Sequence, residues 1–289
     1  FSLEIASIEG QVHFYIRTPT RVRGLIETQM YAQFPQAQIR AVEDYTLAVD
    51  EITPESSWNG WGCEFRLERP EAFPIKTYTD FGLDKDPKEE FKVDPISPVV
   101  ELLGSLQKDE QAWIQFVIRP TKKTWHTHGT FFGYHGWVDE SRVVMEKLLE
   151  PFTRYHARPE GAPGAGTFSI ELRQPEFLKN TVAAMTNKTA KIGFDVGIRV
   201  MYVAKKEAFN MSNRRNMRLM FRQYAKPDCN QLERCNSTQA DAYGGIFTIS
   251  KKTVMILANR MLTEFRERSF FHSALRHHIF SVSTIPWTF

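Results

Sequence analysis

Three histidines that lie close together in the sequence are the best candidates for binding a metal. They are His126, His128 and His135, in the segment WHTHGTFFGYHGW. Residues i and i+2 of a strand point to the same face, so the first two imidazoles could hold one zinc ion and the third could complete the site. However, no acidic ligand follows in the sequence until Asp139. A polar hairpin that carries histidines explains the segment more simply, and we predict that the chain binds no metal and no cofactor.

The three cysteines do not form a metal-binding or disulfide pattern. Five residues separate Cys229 from Cys235, in CNQLERC, and Cys63 lies far away. Paired zinc ligands usually have about two to four residues between them and need a second pair. An odd and sparse set of cysteines is also untypical of a disulfide framework. The pattern therefore favours free thiols in a reducing compartment.

No motif for catalysis occurs in the sequence. The patterns GxxxxGKS/T, GxGxxG, GxSxG and HExxH, which cradle phosphates, present a nucleophile or bind zinc, are all absent. Adjacent carboxylates occur at Glu43–Asp44, Glu89–Glu90 and Asp139–Glu140. Neighbouring side chains on a strand or loop diverge, so these pairs are not placed to share acid–base work. We therefore predict that the chain is not an enzyme.

Two groups of arginines could contact the phosphates of a nucleic acid. The first follows helical spacing over residues 214–222, and the second lies over residues 260–276 towards the C-terminal end. The candidate contacts are Arg214, Arg215, Arg218, Arg222, Arg260 and Arg268. Because the net charge is only +3, solvated helix faces explain these groups more simply. A nucleic-acid-binding module is therefore the alternative function, and any contact with nucleic acid is expected to be indirect.

The elements that must position these residues follow from hydrophobic periodicity. The segment Lys191–Asn210, KIGFDVGIRVMYVAKKEAFN, alternates large apolar residues with others, which predicts a long strand with a buried face. Glu110–Pro120, EQAWIQFVIRP, predicts a second strong strand. Near the N-terminus, two strands on either side of Glu9-Gly10 lead to a helix over Arg21–Phe34. The sequence also predicts a last helix over Thr253–Phe271.

The order strand, helix, strand occurs twice along the chain. This order predicts an α+β fold of two ferredoxin-like split strand–helix–strand units, each a mixed or antiparallel sheet with helices on one face. The first unit would span residues 1–90. The second would span residues 91–289, with a helical insertion and the C-terminal helix. We place the boundary near Pro87–Pro95, in a stretch rich in charge and proline.

Five segments carry a family resemblance. In chain order they are QVHFYIRTPTRVRGLIETQMYAQFPQAQIRAVEDY, EQAWIQFVIRP, KIGFDVGIRVMYVAKKEAFN, MFRQY and FRERSFF. Together they resemble the N-terminal, pre-motor region of bacterial conjugative DNA-transfer and type IV secretion-like ATPases of the HerA/FtsK superfamily. The similarity covers most of the chain, and its motifs are packing patterns and not active-site signatures.

The resemblance implies an adaptor function. In such proteins this region follows a membrane anchor and precedes a motor domain, and this sequence contains no P-loop of such a motor. The loop after Tyr224, AKPDCNQLERC, also departs from the polar loop expected there. The resemblance therefore implies a non-catalytic assembly module, cytoplasmic and peripheral to the inner membrane through an anchor outside this chain. Its expected partners are proteins of a secretion or DNA-transfer complex, which could include further copies of the chain.

Overall fold

The structure is a computed structural model that describes residues 1–84, 93–121, 124–125, 134–157, 168–172, 175–239 and 250–271. The described strands are β1 (Ser2–Ile8), β2 (Gln11–Arg17), β3 (Trp58–Leu67), β4 (Glu110–Pro120), β5 (Thr124–Trp125), β6 (Tyr134–His135), β7 (Thr153–Ala157), β8 (Phe168–Leu172), β9 (Phe194–Lys205) and β10 (Leu232–Cys235). The described α-helices are α1 (Arg23–Gln33), α2 (Ser97–Gly104), α3 (Trp137–Leu149), α4 (Glu176–Thr189), α5 (Met211–Leu219) and α6 (Lys251–Glu267). The predicted α+β class is confirmed.

Six of the described strands form one antiparallel sheet, in the order β10–β3–β9–β4–β1–β2. β9 pairs with β3 on one side and with β4 on the other, so the two strongest strands predicted from the sequence are neighbours at its centre. Val200 and Tyr202 of β9 are buried on one face of the sheet, and Met201 and Val203 are buried on the other. A strand that is apolar on both faces must be covered on both.

Helices accordingly pack on both faces, whereas the sequence placed them on one. On the first face, which carries Tyr202, α2 and α5 cover the sheet. The core there includes Trp61, Ile114, Ile198, Val200, Val99, Leu103 and Met217. On the second face, which carries Met201, α6 covers the sheet together with residues 45–52. The core there includes Trp113, Met201, Val203, Tyr45, Ile52, Leu262 and Phe265.

Strands from both predicted units share this sheet. β1, β2 and β3 come from residues 1–90, whereas β4, β9 and β10 come from residues 91–289, and β4 lies between β1 and β9. The described strands therefore build one layer across the boundary predicted near residue 90. α3, α4 and two small sheets, β5–β6 and β7–β8, lie in the segment between β4 and β9. Pro120 pairs with Phe194, so that segment leaves and re-enters the sheet at the same place.

The first hairpin is closed by a two-residue turn. Glu9 and Gly10 both have positive φ, 53° and 84°, which is typical of the type I′ turn that matches the twist of paired strands. A Cβ atom on Gly10 would lie 2.7 Å from the carbonyl oxygen of Leu106, so a side chain there would clash with the loop after α2. The turn fixes the register of β1 against β2, with Ile8 opposite Gln11.

Candidate docking surface

The β1–β2 hairpin presents apolar side chains to solvent on the first face of the sheet. They come from the N-terminus and from both strands, and we call them the hairpin surface: Phe1, Leu3, Phe14 and Ile16. Phe14 is 65% exposed although it lies in a regular strand. Ile16 is opposite Leu3, and Phe14 is opposite Ile5, so these side chains are neighbours across the pair. Contiguous exposed apolar side chains of this kind mark interaction sites.

β2 is also an edge strand. Among the described strands it is the last in the sheet, and its outer side pairs with none of them. Its seven residues, QVHFYIR, contain no proline, and the strand carries an exposed aromatic residue at its middle. An open edge of this length is a template on which another chain can form backbone hydrogen bonds.

Helix α1 adds further exposed apolar residues beside this edge. Every residue of α1 is exposed or half-buried, and Leu25 is 64% exposed. Tyr31 and Phe34 are exposed as well. Ile26, Glu27 and Met30 are the half-buried residues of the helix, and they lie on one helical face. Most of the apolar surface of α1 is thus uncovered by the described part of this chain.

A groove separates β2 from α1. Its volume is about 590 Å³, and it is bounded by the end of β2, by one face of α1 and by residues 37–45. We call it the edge groove. Its apolar lining includes Phe14, Ile16, Ile26, Met30, Ile39 and Val42. Pockets that bind ligands usually measure about 300–1,000 Å³, so the edge groove has the size of a binding site.

Arg268 lines the edge groove. It directly follows α6 and has a left-handed conformation with φ of 53°. Its guanidinium donates hydrogen bonds to Glu4 at 2.9 and 3.0 Å and to Asp44 at 3.1 Å. Burial alone would raise the pKa of both carboxyls, but the hydrogen bonds and the charge of Arg268, together with hydrogen bonds from neighbouring hydroxyl and backbone groups, outweigh burial and hold each pKa below its ordinary value. Arg268 therefore ties β1, the 37–45 segment and the end of α6 together.

Glu4 is the first member of a buried line of polar residues that crosses the sheet on the second face. In register across β1, β4, β9 and β3, the line consists of Glu4, Gln115, Arg199 and Glu64, and we call it the polar row. All four residues are buried. Polar residues in the middle of buried strands are stable only when hydrogen bonds satisfy them. The polar row does so by bonding along its length and to the end of α6, except at Arg199 Nε, which has no hydrogen-bond partner in the described part of the chain.

Arg199 is the central group of the polar row. Its side chain and that of Glu64 are both 0% exposed, and its Nη2 lies 2.8 Å from Glu64 Oε1. The same nitrogen donates to the carbonyl oxygen of Ser269 at 3.1 Å. Gln115 donates in turn to the carbonyl oxygen of Phe265 at 3.0 Å. The row thus binds one carbonyl group in the last turn of α6 and one just beyond the helix, which joins the sheet to the helix end.

The titration of Glu64 gives the polar row a measurable pH dependence. Burial raises the pKa of Glu64 to about 7, although Arg199 and Asn236 favour the charged form. Between the ordinary pKa of 4.5 and this value, the folded chain binds more protons at Glu64 than the unfolded chain does. We therefore expect the free energy of unfolding to fall as the pH rises through this interval and to level off above it. Each unit of difference in pKa contributes about 1.4 kcal/mol.

Urea unfolding of the wild type and of Glu64→Gln across this pH interval tests the expectation. The glutamine variant lacks the titrating group, so its stability should vary less steeply with pH than that of the wild type. All other titrating groups are common to the two proteins, which makes the difference between their slopes specific to position 64. Identical slopes would contradict the assignment.

The arginines predicted as nucleic-acid contacts do not lie on one surface. The first group belongs to α5 and the turn after it, which pack on the first face of the sheet, whereas Arg260 and Arg268 belong to α6 and its end on the second face. Arg268 is bound to two carboxylates, and Arg214 donates to Gln239. Arg215 and Arg222 are exposed. The proposed contacts with nucleic acid stay a prediction, and the fold divides them between opposite faces.

The histidines predicted as metal candidates lie largely outside the described residues. His126 and His128 are not among them, and only the backbone of His135 is described, in β6. Within the described part of the chain, no group of three or more histidine, cysteine, aspartate or glutamate side chains is placed to hold a metal ion. None of the described helices combines the length and the apolar composition that crossing a membrane requires.

Reasoning from the sequence missed the hairpin surface and the polar row for different reasons. Val12, Phe14 and Ile16 alternate with polar residues, a pattern that equally fits a buried face. Arg199 and Gln115 were visible as polar residues inside two strongly apolar strands. That signal could have indicated a buried network, because a charge amid buried apolar residues requires a partner.

Comparisons with known proteins bear on the family alone. Neither a search of curated proteins nor a search of solved structures found a match. A family model described as Domain of unknown function (DUF8128) matches residues 1–274. The match spans the hairpin surface, the edge groove and the polar row, and the chain therefore belongs to the DUF8128 family.

Proposed function

We propose that the chain is a non-catalytic adaptor that binds other proteins through the hairpin surface and the neighbouring edge of β2. We further propose that it serves in a conjugative DNA-transfer or type IV secretion-like machine at the cytoplasmic face of the membrane. The observation that supports docking is the coincidence of an open strand edge with exposed apolar side chains. The resemblance of five sequence segments to the pre-motor region of such ATPases supports the machine.

The charged groups of the described core favour assembly over catalysis. The polar row lies beneath α6, and its Arg199–Glu64 pair is at 0% exposure, so no substrate reaches that pair without unfolding of the helix end. Its arrangement can fix the position of α6 relative to the sheet, and a rigid scaffold of this kind is what an adaptor needs. α6 covers the second face of the sheet. The hairpin surface lies on the first face, and Phe14 and Ile16 are accessible to a partner there.

The experiment compares partner recovery for two variants expressed as full-length protein in the source cells. Phe14→Glu places a charge in the hairpin surface, and we expect it to reduce recovery of crosslinked secretion-machine proteins at least about 10-fold, since a buried unpaired charge opposes docking. Ile192→Glu is the matched control because Ile192 is 83% exposed and lies just before β9, which β4 separates from the hairpin. Quantitative mass spectrometry of the crosslinked complexes gives the readout.

The outcomes test docking through the hairpin surface and membership of the proposed machine separately. Equal recovery with Phe14→Glu and Ile192→Glu would contradict docking through the hairpin surface. Selective loss of partners, none of which belongs to a DNA-transfer or secretion machine, would retain the surface and contradict the machine. Binding of the purified chain to duplex DNA with a steep salt dependence would favour the alternative function, a nucleic-acid-binding module.

A further inference from the structure

We propose that the edge groove binds an extended, uncharged peptide segment of a partner protein, which adds to the sheet as a strand beside β2. The inference rests on the proposed docking function and specifies how the partner is held. It commits to backbone pairing, whereas docking through the hairpin surface alone requires only apolar contact.

The outer side of β2 offers backbone groups to an added strand. In a hairpin with a two-residue turn, the residues that flank the turn form a hydrogen-bonded pair, here Ile8 and Gln11. Hydrogen-bonded pairs then alternate along the strands, so the intervening residues of β2 direct their backbone N–H and C=O groups outwards. Those residues are Val12, Phe14 and Ile16. Their donors and acceptors match an added strand.

The width of the edge groove suits one extended chain. α1 and residues 37–45 form an outer wall at the edge groove, and Ile26 and Met30 of α1 face β2 across it. A walled groove of about 590 Å³ accommodates one extended chain. A second copy of this protein would have to bring its own β2 and α1 to the same place. The wall therefore favours a single peptide segment over the edge of another sheet.

The charges that line the edge groove restrict the kind of peptide that fits it. Eight charged side chains line the edge groove, four acidic and four basic, so their formal charges cancel. Most are engaged with each other, in the pairs Arg17–Asp44, Arg23–Glu27 and Arg268–Glu4. A groove without net charge gives no advantage to an acidic or a basic peptide. The occupant that fits is uncharged, with apolar residues at alternate positions that pack on Phe14 and Ile16.

Two substitutions at one position separate backbone pairing from side-chain contact. Ile16→Pro and Ile16→Ala both remove the isoleucine side chain, but only proline removes the outward N–H. Because Ile16 is opposite Leu3 in a pair without mutual hydrogen bonds, proline there leaves the β1–β2 bonds in place, as edge strands allow. The probe is the highest-affinity peptide selected from a random octapeptide library against the full chain.

We expect the selected peptide to be uncharged and to alternate, and its affinity to fall at least about 10-fold more in Ile16→Pro than in Ile16→Ala. N-methylation of its alternate backbone amides should abolish binding to the wild-type chain, a test that holds even where the proline variant is misfolded.

Selection of no peptide, selection of charged or helical peptides, or full affinity of the N-methylated peptide would overturn strand addition. If the wild-type chain dimerises and Ile16→Pro does not, the edge of β2 binds a second copy of the chain and not a peptide of a partner. If Phe14→Glu abolishes partner recovery while N-methylation has no effect, docking stands and strand addition fails.

Discussion

Replacing Arg199 by methionine is expected to lower the free energy of unfolding by about 3–5 kcal/mol, the range found when one partner of a buried ion pair is removed. The substitution leaves Glu64 at 0% exposure without its guanidinium partner and withdraws a donor from the carbonyl of Ser269. Since Glu64 can escape part of this penalty by binding a proton, the loss should be larger above its pKa of about 7 than below it. Urea unfolding on both sides of that pKa measures both effects.

The control for this substitution is Arg23→Met. Arg23 forms an exposed pair with Glu27 on α1, at 2.7 Å, and exposed pairs of this type contribute about 0.3–0.5 kcal/mol. The double variant Arg199→Met with Glu64→Leu should regain much of the loss, because neither charge is then buried alone. A single Arg199→Met variant as stable as Arg23→Met would show that the polar row is unimportant for folding.

The second large effect is expected for Arg268→Met, again about 3–5 kcal/mol at neutral pH. Glu4 is almost completely buried, and Arg268 gives it two hydrogen bonds besides those to Asp44. Both carboxyls have folded-state pKa values below their ordinary ones, so the stability they contribute is present above the ordinary values and is lost as the pH falls through the lowered ones. The difference between wild type and variant should therefore shrink in acid.

Arg17→Met provides a matched control for Arg268→Met. Arg17 also binds Asp44, at 2.7 Å, but its side chain is 57% exposed, so its removal should change the stability by less than about 1 kcal/mol. Thermal or urea unfolding of the two variants, at neutral and at acid pH, separates a buried tie from a surface one. Equal losses in both variants would refute the anchoring of the helix end by Arg268.

The strands with the strongest pattern could be predicted from the sequence because their signal is local. β4 begins and ends where its apolar alternation does, and β9 lies within the predicted Lys191–Asn210 segment. The hairpin at Glu9-Gly10 follows from turn chemistry over a few residues. The last helix was also expected, but it ends at Glu267, where Arg268 takes the left-handed conformation that commonly terminates a helix.

The order of strands could not be predicted, because it depends on contacts between residues far apart in the chain. Nothing near Glu4 indicates that Arg268 will be its partner, and nothing near Glu64 indicates Arg199. Exposure is equally hard to predict, since Phe14 has the pattern of a core residue and is 65% exposed, whereas Val12 on the same face of the same strand packs against the core. The candidate site therefore became visible only in the assembled sheet.

The pairing of Pro120 with Phe194 brings the two ends of the segment between β4 and β9 together at the sheet. The segment is also anchored in its middle, because Leu178 and Met185 of α4 are buried and Lys188 donates a hydrogen bond to the carbonyl oxygen of Glu71. Changes of length that leave α4 in place should therefore preserve the pairing of the central strands, whereas removal of α4 would expose apolar surface that it now covers.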